Sequence, residues 1–245
     1  MPKIVCIISN KGGCSKTTIS TGLGQAFVSF GDSVVLVDLD NNNNLSDISL
    51  HSHPDSNTVH KRNLTTAISG AHAIDEVIWK TALHGFDIIP THGIINDFSF
   101  KLNMDPSLEI RISEELKSLN YDYIILDVNP LLNETTRFAL KYSNLGIAPL
   151  EEDTQNLDGI NDLINFRNSF KIRTPIKVLP SNISKAKEDF LKSMVLGRGL
   201  TSFETVIYTN SSIKTAKNLR QPISYKNEAF SYFTSLAKEI INEIK

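Results

Sequence analysis

A short apolar run, Lys3–Ile8, passes through Ser9-Asn10 into Lys11-Gly12-Gly13-Cys14-Ser15-Lys16-Thr17-Thr18, and a helical pattern follows at once. A strand that feeds a glycine-rich turn opening a helix constrains the fold more than any other feature of the chain. Several backbone N–H groups and the positive end of the helix dipole then point at one spot, where phosphate binds readily. Lys16 is placed to neutralise the β- and γ-phosphates of a nucleoside triphosphate, and the Thr17 hydroxyl to ligate Mg²⁺. Two positions depart from the plain pattern G-x-x-x-x-G-K-[ST]: Lys11 stands ahead of the glycine pair, and Ser15 sits where glycine is expected.

The rest of the chain alternates strand and helix. Thr18–Phe30 reads as a helix with Ile19, Leu23, Ala26 and Phe27 on one face, and its Gly22-Leu23-Gly24 as a point of close helix–sheet packing. Buried strands are predicted at Val34–Val37, Phe86–Pro90, Tyr123–Asp127, Leu145–Pro149, Ile176–Pro180 and, late in the chain, Phe203–Tyr208. Helices are predicted at Leu64–Ile78, Leu108–Leu119, Glu134–Tyr142, Leu157–Phe170, Glu188–Leu196 and Glu228–Ile244. Residues 41–62 read as an irregular, solvated loop, and the spacing of its His51, His53 and His60 fits no metal-ligand template. The expected fold is a doubly wound α/β domain over 1–245: a mostly parallel sheet with helices on both faces.

Composition excludes several classes. No apolar run is long enough to span a bilayer, and no signal peptide precedes the first strand. Cys6 and Cys14 form neither a metal spacing nor a disulfide framework, so a reducing cytoplasm is the expected compartment. The net charge of −2 hides an asymmetry: residues 1–166 carry 11 Lys/Arg against 21 Asp/Glu, and residues 167–245 carry 14 against 6. A basic C-terminal third is either a solvated helical surface or a face for nucleic acid.

Three carboxylates, Asp38, Asp40 and Asp127, fall at predicted strand ends, where doubly wound sheets bind their ligands. Beside a phosphate loop, carboxylates there suit a Mg²⁺–nucleotide site, because metal water must be held and an attacking water oriented.

The octet closely resembles the deviant Walker A box, K-G-G-x-G-K-[ST]-[ST], of the ParA/MinD ATPases, and is most like the short, Soj-type ParA partition proteins. Val37-Asp38-Leu39-Asp40 is similar to the V-D-x-D switch of that family, and Asp127 to its Walker B aspartate. The resemblance extends to Pro149, Gly159, Asn210, the tract Arg220-Gln221-Pro222-Ile223 and Ala237-Lys238-Glu239. Asn41-Asn42-Asn43 in place of P-Q-G, and Val128-Asn129 inside D-[TC]-P-P, depart from it.

The resemblance implies an ATPase with ATP and Mg²⁺ as cofactors. By it, Lys11, Gly12, Gly13, Cys14, Ser15, Lys16, Thr17 and Thr18 bind the nucleotide, and Ser181, Asn182 and Tyr208 are candidates for the base. Thr17, Asp38 and Asp127 serve the metal, and Lys11, Lys16 and Asp40 the catalysis, with Lys11 reaching into a partner subunit's site. It further implies an ATP-driven homodimer that binds DNA without sequence preference and is released when a ParB-like partner stimulates hydrolysis. Lys185, Lys187, Lys192, Arg198, Lys214, Lys217 and Arg220 are the candidate phosphate contacts, although Ser212 stands where the family has an arginine. The chain starts at the first strand, so no N-terminal helix-turn-helix is expected and operator recognition falls to the partner. The expected location is the cytoplasm, on the nucleoid, with no membrane contact. Alternatives are a MinD-like or other positioning ATPase, a weakly hydrolysing nucleotide-binding scaffold and, from another class, an ATP-dependent metabolic enzyme.

Overall fold

The computed structural model describes residues 1–81, 83–93, 96–152 and 155–245. In chain order the elements are β1 (Lys3–Ile7), α1 (Lys16–Ser29), β2 (Val34–Leu39), α2 (Asn44–Leu50), α3 (Leu64–Ile68), β3 (Trp79–Lys80), β4 (Asp87–Ile89), α4 (Asn96–Met104) and α5 (Pro106–Ser118). They continue with β5 (Tyr123–Val128), α6 (Glu134–Tyr142), β6 (Leu145–Leu150), α7 (Gln155–Ser169), β7 (Ile176–Ile183), α8 (Glu188–Gly197), β8 (Ile207–Tyr208), α9 (Ser211–Leu219) and α10 (Glu228–Glu243). The strands form one sheet in the order β3-β4-β2-β5-β1-β6-β7-β8. Among the described residues only the edge strand β3 runs antiparallel, pairing Trp79 with Ile88.

Alternate residues of the central strands feed two hydrophobic cores. Ile4, Cys6, Val35, Val37, Ile124 and Leu126 face the layer made by α3 to α8. Val5, Ile7, Val34, Leu36 and Ile125 face α1, α2 and α10. Strands buried on both faces are the reason these segments read as continuous apolar runs. The glycines of α1 permit close approach: a Cβ at Gly22 would lie 2.4 Å from the Phe233 ring of α10, and one at Gly24 would lie 2.9 Å from Leu36.

Several predicted elements differ. The helix expected over Leu64–Ile78 stops at Ile68, because Gly70 turns the chain at φ 82° and only a short 3₁₀ turn, Asp75–Val77, follows. Its start is well built, with Asn63 accepting from Thr65 and Thr66 in a capping box. The stretch 41–62 is not wholly irregular, since it holds α2 and a 3₁₀ turn at Ser56–Lys61. α4 and α9 are additional helices. The late strand shrinks to Ile207–Tyr208, while Phe203 turns into the core with its amide on the Val178 carbonyl at 2.9 Å.

Gly22→Ala gains about 1 kcal/mol of helix propensity but drives a methyl into the Phe233 ring. The expected net loss is about 1–3 kcal/mol, read as a lower urea midpoint; an unchanged or higher midpoint contradicts this account of α1–α10 packing.

Candidate nucleotide site

The strand register brings the site together. β5 lies between β1 and β2, pairing Ile7 with Asp127 on one side and Asp38 with Asp127 on the other. The loop after β1 therefore emerges beside both strand-end carboxylates. It surrounds a cleft of about 310 Å³ lined by Gly12 to Thr18 together with Asp40, Asn42, Asp47, Pro130, Lys217 and Arg220.

Within the cleft, Lys16 is buried at the start of α1 and its charge acts on Asp127. The Thr17 hydroxyl donates to Asp127 Oδ2 at 2.8 Å. Asp127 Oδ1 is buried with no hydrogen-bond partner among the described residues. A hydroxyl and a carboxylate side by side, with one carboxylate oxygen left over, are a donor set that fits Mg²⁺, a hard cation that takes oxygen ligands. Asp40 faces the same cleft, and its Oδ1 accepts from the Asn42 amide at 3.0 Å and from Asn42 Nδ2 at 3.1 Å.

Asp38, expected to support the metal shell, does not line the cleft. It is fully buried behind the cleft. Its Oδ1 accepts from the Asp40 amide at 3.0 Å, and its Oδ2 accepts from the Ser46 amide at 2.8 Å and hydroxyl at 2.6 Å. Asp38 thus pins the start of α2 and the backbone of Asp40. The asparagine tract supplies the turn between them: Asn43 adopts a left-handed φ of 55°, which asparagine tolerates, and α2 begins at the next residue. Asn42 and Ser46 were not legible as site residues, because both fall in the stretch 41–62 that reads as an irregular loop.

Ser15 also has a left-handed backbone, φ 54°, as its place in a glycine position requires. Its hydroxyl donates to Glu151 Oε1 at 2.8 Å, just past the end of β6. Lys11 lies in the loop, its carbonyl accepting from the Ser9 hydroxyl at 2.8 Å.

The three base candidates cluster where β7 pairs with β8, but none lines the phosphate cleft. Ser181 is sealed in the interior, so its side chain is withheld from a base at the surface. Asn182, at φ 55°, accepts from the Thr209 hydroxyl at 3.2 Å. The Tyr208 hydroxyl is bonded to Glu188.

The seven candidate DNA contacts fall into two groups. Lys185, Lys187, Lys192 and Arg198 surround α8, and Lys214, Lys217 and Arg220 belong to α9 and its end. Three of the seven are engaged by carboxylates: Lys192 with Glu188 at 3.0 Å, Arg198 with Asp158 at 2.7 Å and Arg220 with Asp47 at 2.8 Å. Arg220 also meets His51 Nδ1 at 2.9 Å, which ties the end of α9 to α2 across the mouth of the cleft.

Burial raises both central carboxyls, Asp38 to about 7 and Asp127 to about 6; Asp127 repels Asp38, and Asp40 adds to the shift on Asp127. A folded-state value above the ordinary 3.8 means that the unfolded chain gives up its proton first. For Asp127 the resulting penalty on the fold is absent below about pH 4 and complete above about pH 6. Asp127→Asn is therefore expected to be more stable than the parent at pH 8, by on the order of 1–2 kcal/mol. The advantage should vanish by pH 4 in urea unfolding. An equal difference at both pH values contradicts the assignment.

A family model described as "AAA domain" matches residues 2–183. The sporulation initiation inhibitor protein Soj of Bacillus subtilis is 32% identical over 168 residues, covering 67% of this chain and 64% of its own length. The chromosome partitioning protein ParA of Caulobacter vibrioides is 24% identical over 256 residues, covering 98% of this chain and 94% of its own. In fold, the chain is similar to a crystal structure of a putative plasmid partition protein from Borrelia burgdorferi B31 bound to AMPPNP. That likeness has a TM-score of 0.85 at 19% identity, covering the whole of both chains. With a phosphate loop led by Lys11, a doubly wound sheet and relatives of this kind, the chain belongs to the ParA/MinD family.

Proposed function

We propose that this protein is a partition ATPase that binds Mg²⁺–ATP in the cleft, closes as a sandwich dimer and holds DNA by its backbone until hydrolysis. The observation that carries the reading is the meeting of Lys16, Thr17 and Asp40 around one cleft, with buried Asp127 bonded to the Thr17 hydroxyl behind it. Bound Mg²⁺–ATP supplies an electrophilic γ-phosphoryl group whose charge the metal shares. Lys16 and the loop amides offset phosphate charge, and Thr17 with Asp127 holds the metal. Asp40, fixed by Asn42, orients the attacking water, while Asp38 holds α2 and the Asp40 backbone from behind. Lys11, at the front of the loop, reaches the nucleotide of the partner subunit. A ParB-like protein on the cargo accelerates turnover, and the working location is the nucleoid within the cytoplasm.

DNA contacts come from the basic C-terminal third, with the α9 group next to the nucleotide cleft. Such contacts release counterions, so binding falls steeply with salt and ignores sequence. With ATP and Mg²⁺, the protein is expected to sediment as a dimer and to bind random duplex DNA at low salt, and with ADP to do neither. Lys214→Glu is expected to weaken DNA binding at least fivefold while leaving the dimer intact. Failure of ATP to produce either the dimer or the DNA complex contradicts the proposal. Asp40→Ala is expected to retain ATP and remain dimeric with turnover lost, at least a hundredfold below the parent in phosphate release. Unchanged turnover removes Asp40 from the catalytic role.

A further inference from the structure

The hinge of the phosphate loop carries a side chain where only a hydrogen is expected. Ser15 sits at φ 54° and ψ 15°, a conformation that a β-carbon disfavours and glycine adopts freely. Its backbone is committed on both sides, the amide donating to the Gly13 carbonyl at 2.9 Å and the carbonyl accepting from the Ile19 amide at 2.9 Å. Relaxing the hinge would therefore disturb both the glycine turn and the first turn of α1, which present the loop amides to phosphate.

One further contact of Ser15 reaches far along the chain: its hydroxyl donates to Glu151 Oε1 at 2.8 Å. Glu151 follows the last residue of β6, the strand beside β1, so it is carried by the rigid sheet. The neighbouring Glu152 accepts from the Ser184 amide at 2.6 Å, which fixes this segment from the β7 side. A hydroxyl bonded to a carboxylate is among the stronger hydrogen bonds of a protein.

We propose that Glu151 is a positioning residue of the nucleotide site: it holds Ser15 in the left-handed hinge conformation and thereby sets the affinity of the loop for Mg²⁺–nucleotide. This rests on the nucleotide-binding reading above. Glu151 is required because residue 15 is serine; with glycine there, the hinge needs no external hold.

The test is a double-mutant cycle between Glu151→Ala and Ser15→Gly, with Glu151→Gln as the conservative variant that keeps an acceptor oxygen. Binding is titrated with Mg²⁺–AMPPNP, and amide exchange of residues 13–19 is followed without any nucleotide. Glu151→Ala is expected to weaken AMPPNP binding roughly tenfold more in the parent than in the Ser15→Gly background. The charge removed is the same in both backgrounds, so the difference reads the hydrogen bond alone. Exchange at residues 13–19 should accelerate by a similar factor in the parent and stay unchanged in Ser15→Gly, and Glu151→Gln should retain most of the parent affinity. Equal effects of Glu151→Ala in both backgrounds overturn the proposal. So does coupling in exchange without coupling in affinity, which would make the contact merely structural. If the parent binds no nucleotide while the exchange coupling holds, the positioning of the hinge stands and the affinity-setting role falls together with the nucleotide reading.

Discussion

Asp38 and Asp127 are buried side by side on paired strands, in register and close enough to repel. Two carboxylates are tolerated inside a protein only where donors and cations surround them. Their needs organise this end of the molecule. Asp127 takes the Thr17 hydroxyl and feels the charge of Lys16, which seats the first turn of α1. Asp38 takes the amide and hydroxyl of Ser46 and the amide of Asp40, which seats α2 and the switch segment. The phosphate loop and the switch are thus attached to the sheet through the two carboxylates, and any change in the charge around Asp127 reaches both.

Much of this was legible in the sequence. The octet at 11–18 could serve only a strand–turn–helix junction, and continuous apolar runs could be satisfied only by a sheet covered on both faces. The glycine pair of α1 reads as close helix–sheet packing, which Gly24 makes against Leu36 of β2, while Gly22 meets Phe233 of the helix α10 instead. What escaped notice was set by tertiary partners or by one backbone angle. α2 hides behind four asparagines, and one of them opens the helix by adopting a left-handed turn. α9 is short and polar, with no fully buried residue, and only Ile213 and Ala216 pack against the core. Leu64–Ile78 has helical periodicity, but Gly70 breaks it.

Within the site, the strand ends were more legible than the directions of their side chains. Asp38, Asp40 and Asp127 all lie at the carboxyl edge of the sheet, yet only Asp40 and Asp127 present oxygens toward the phosphate loop. The difference comes from Ser46, whose contact with Asp38 depends on a helix that the sequence pattern did not reveal. The basic third shows the same limit: charge asymmetry was visible from composition, whereas the capture of Lys192, Arg198 and Arg220 by carboxylates requires the fold.

The central claim is that the loop amides, Lys16, Thr17 and Asp127 form one site for a nucleotide together with its metal. Calorimetric titration of the full chain with AMPPNP, in Mg²⁺ and again in EDTA, tests it most directly. Saturable binding of one analogue per chain, at least tenfold tighter with Mg²⁺, is the expected result. Binding that ignores the metal, or no binding at all, would contradict it.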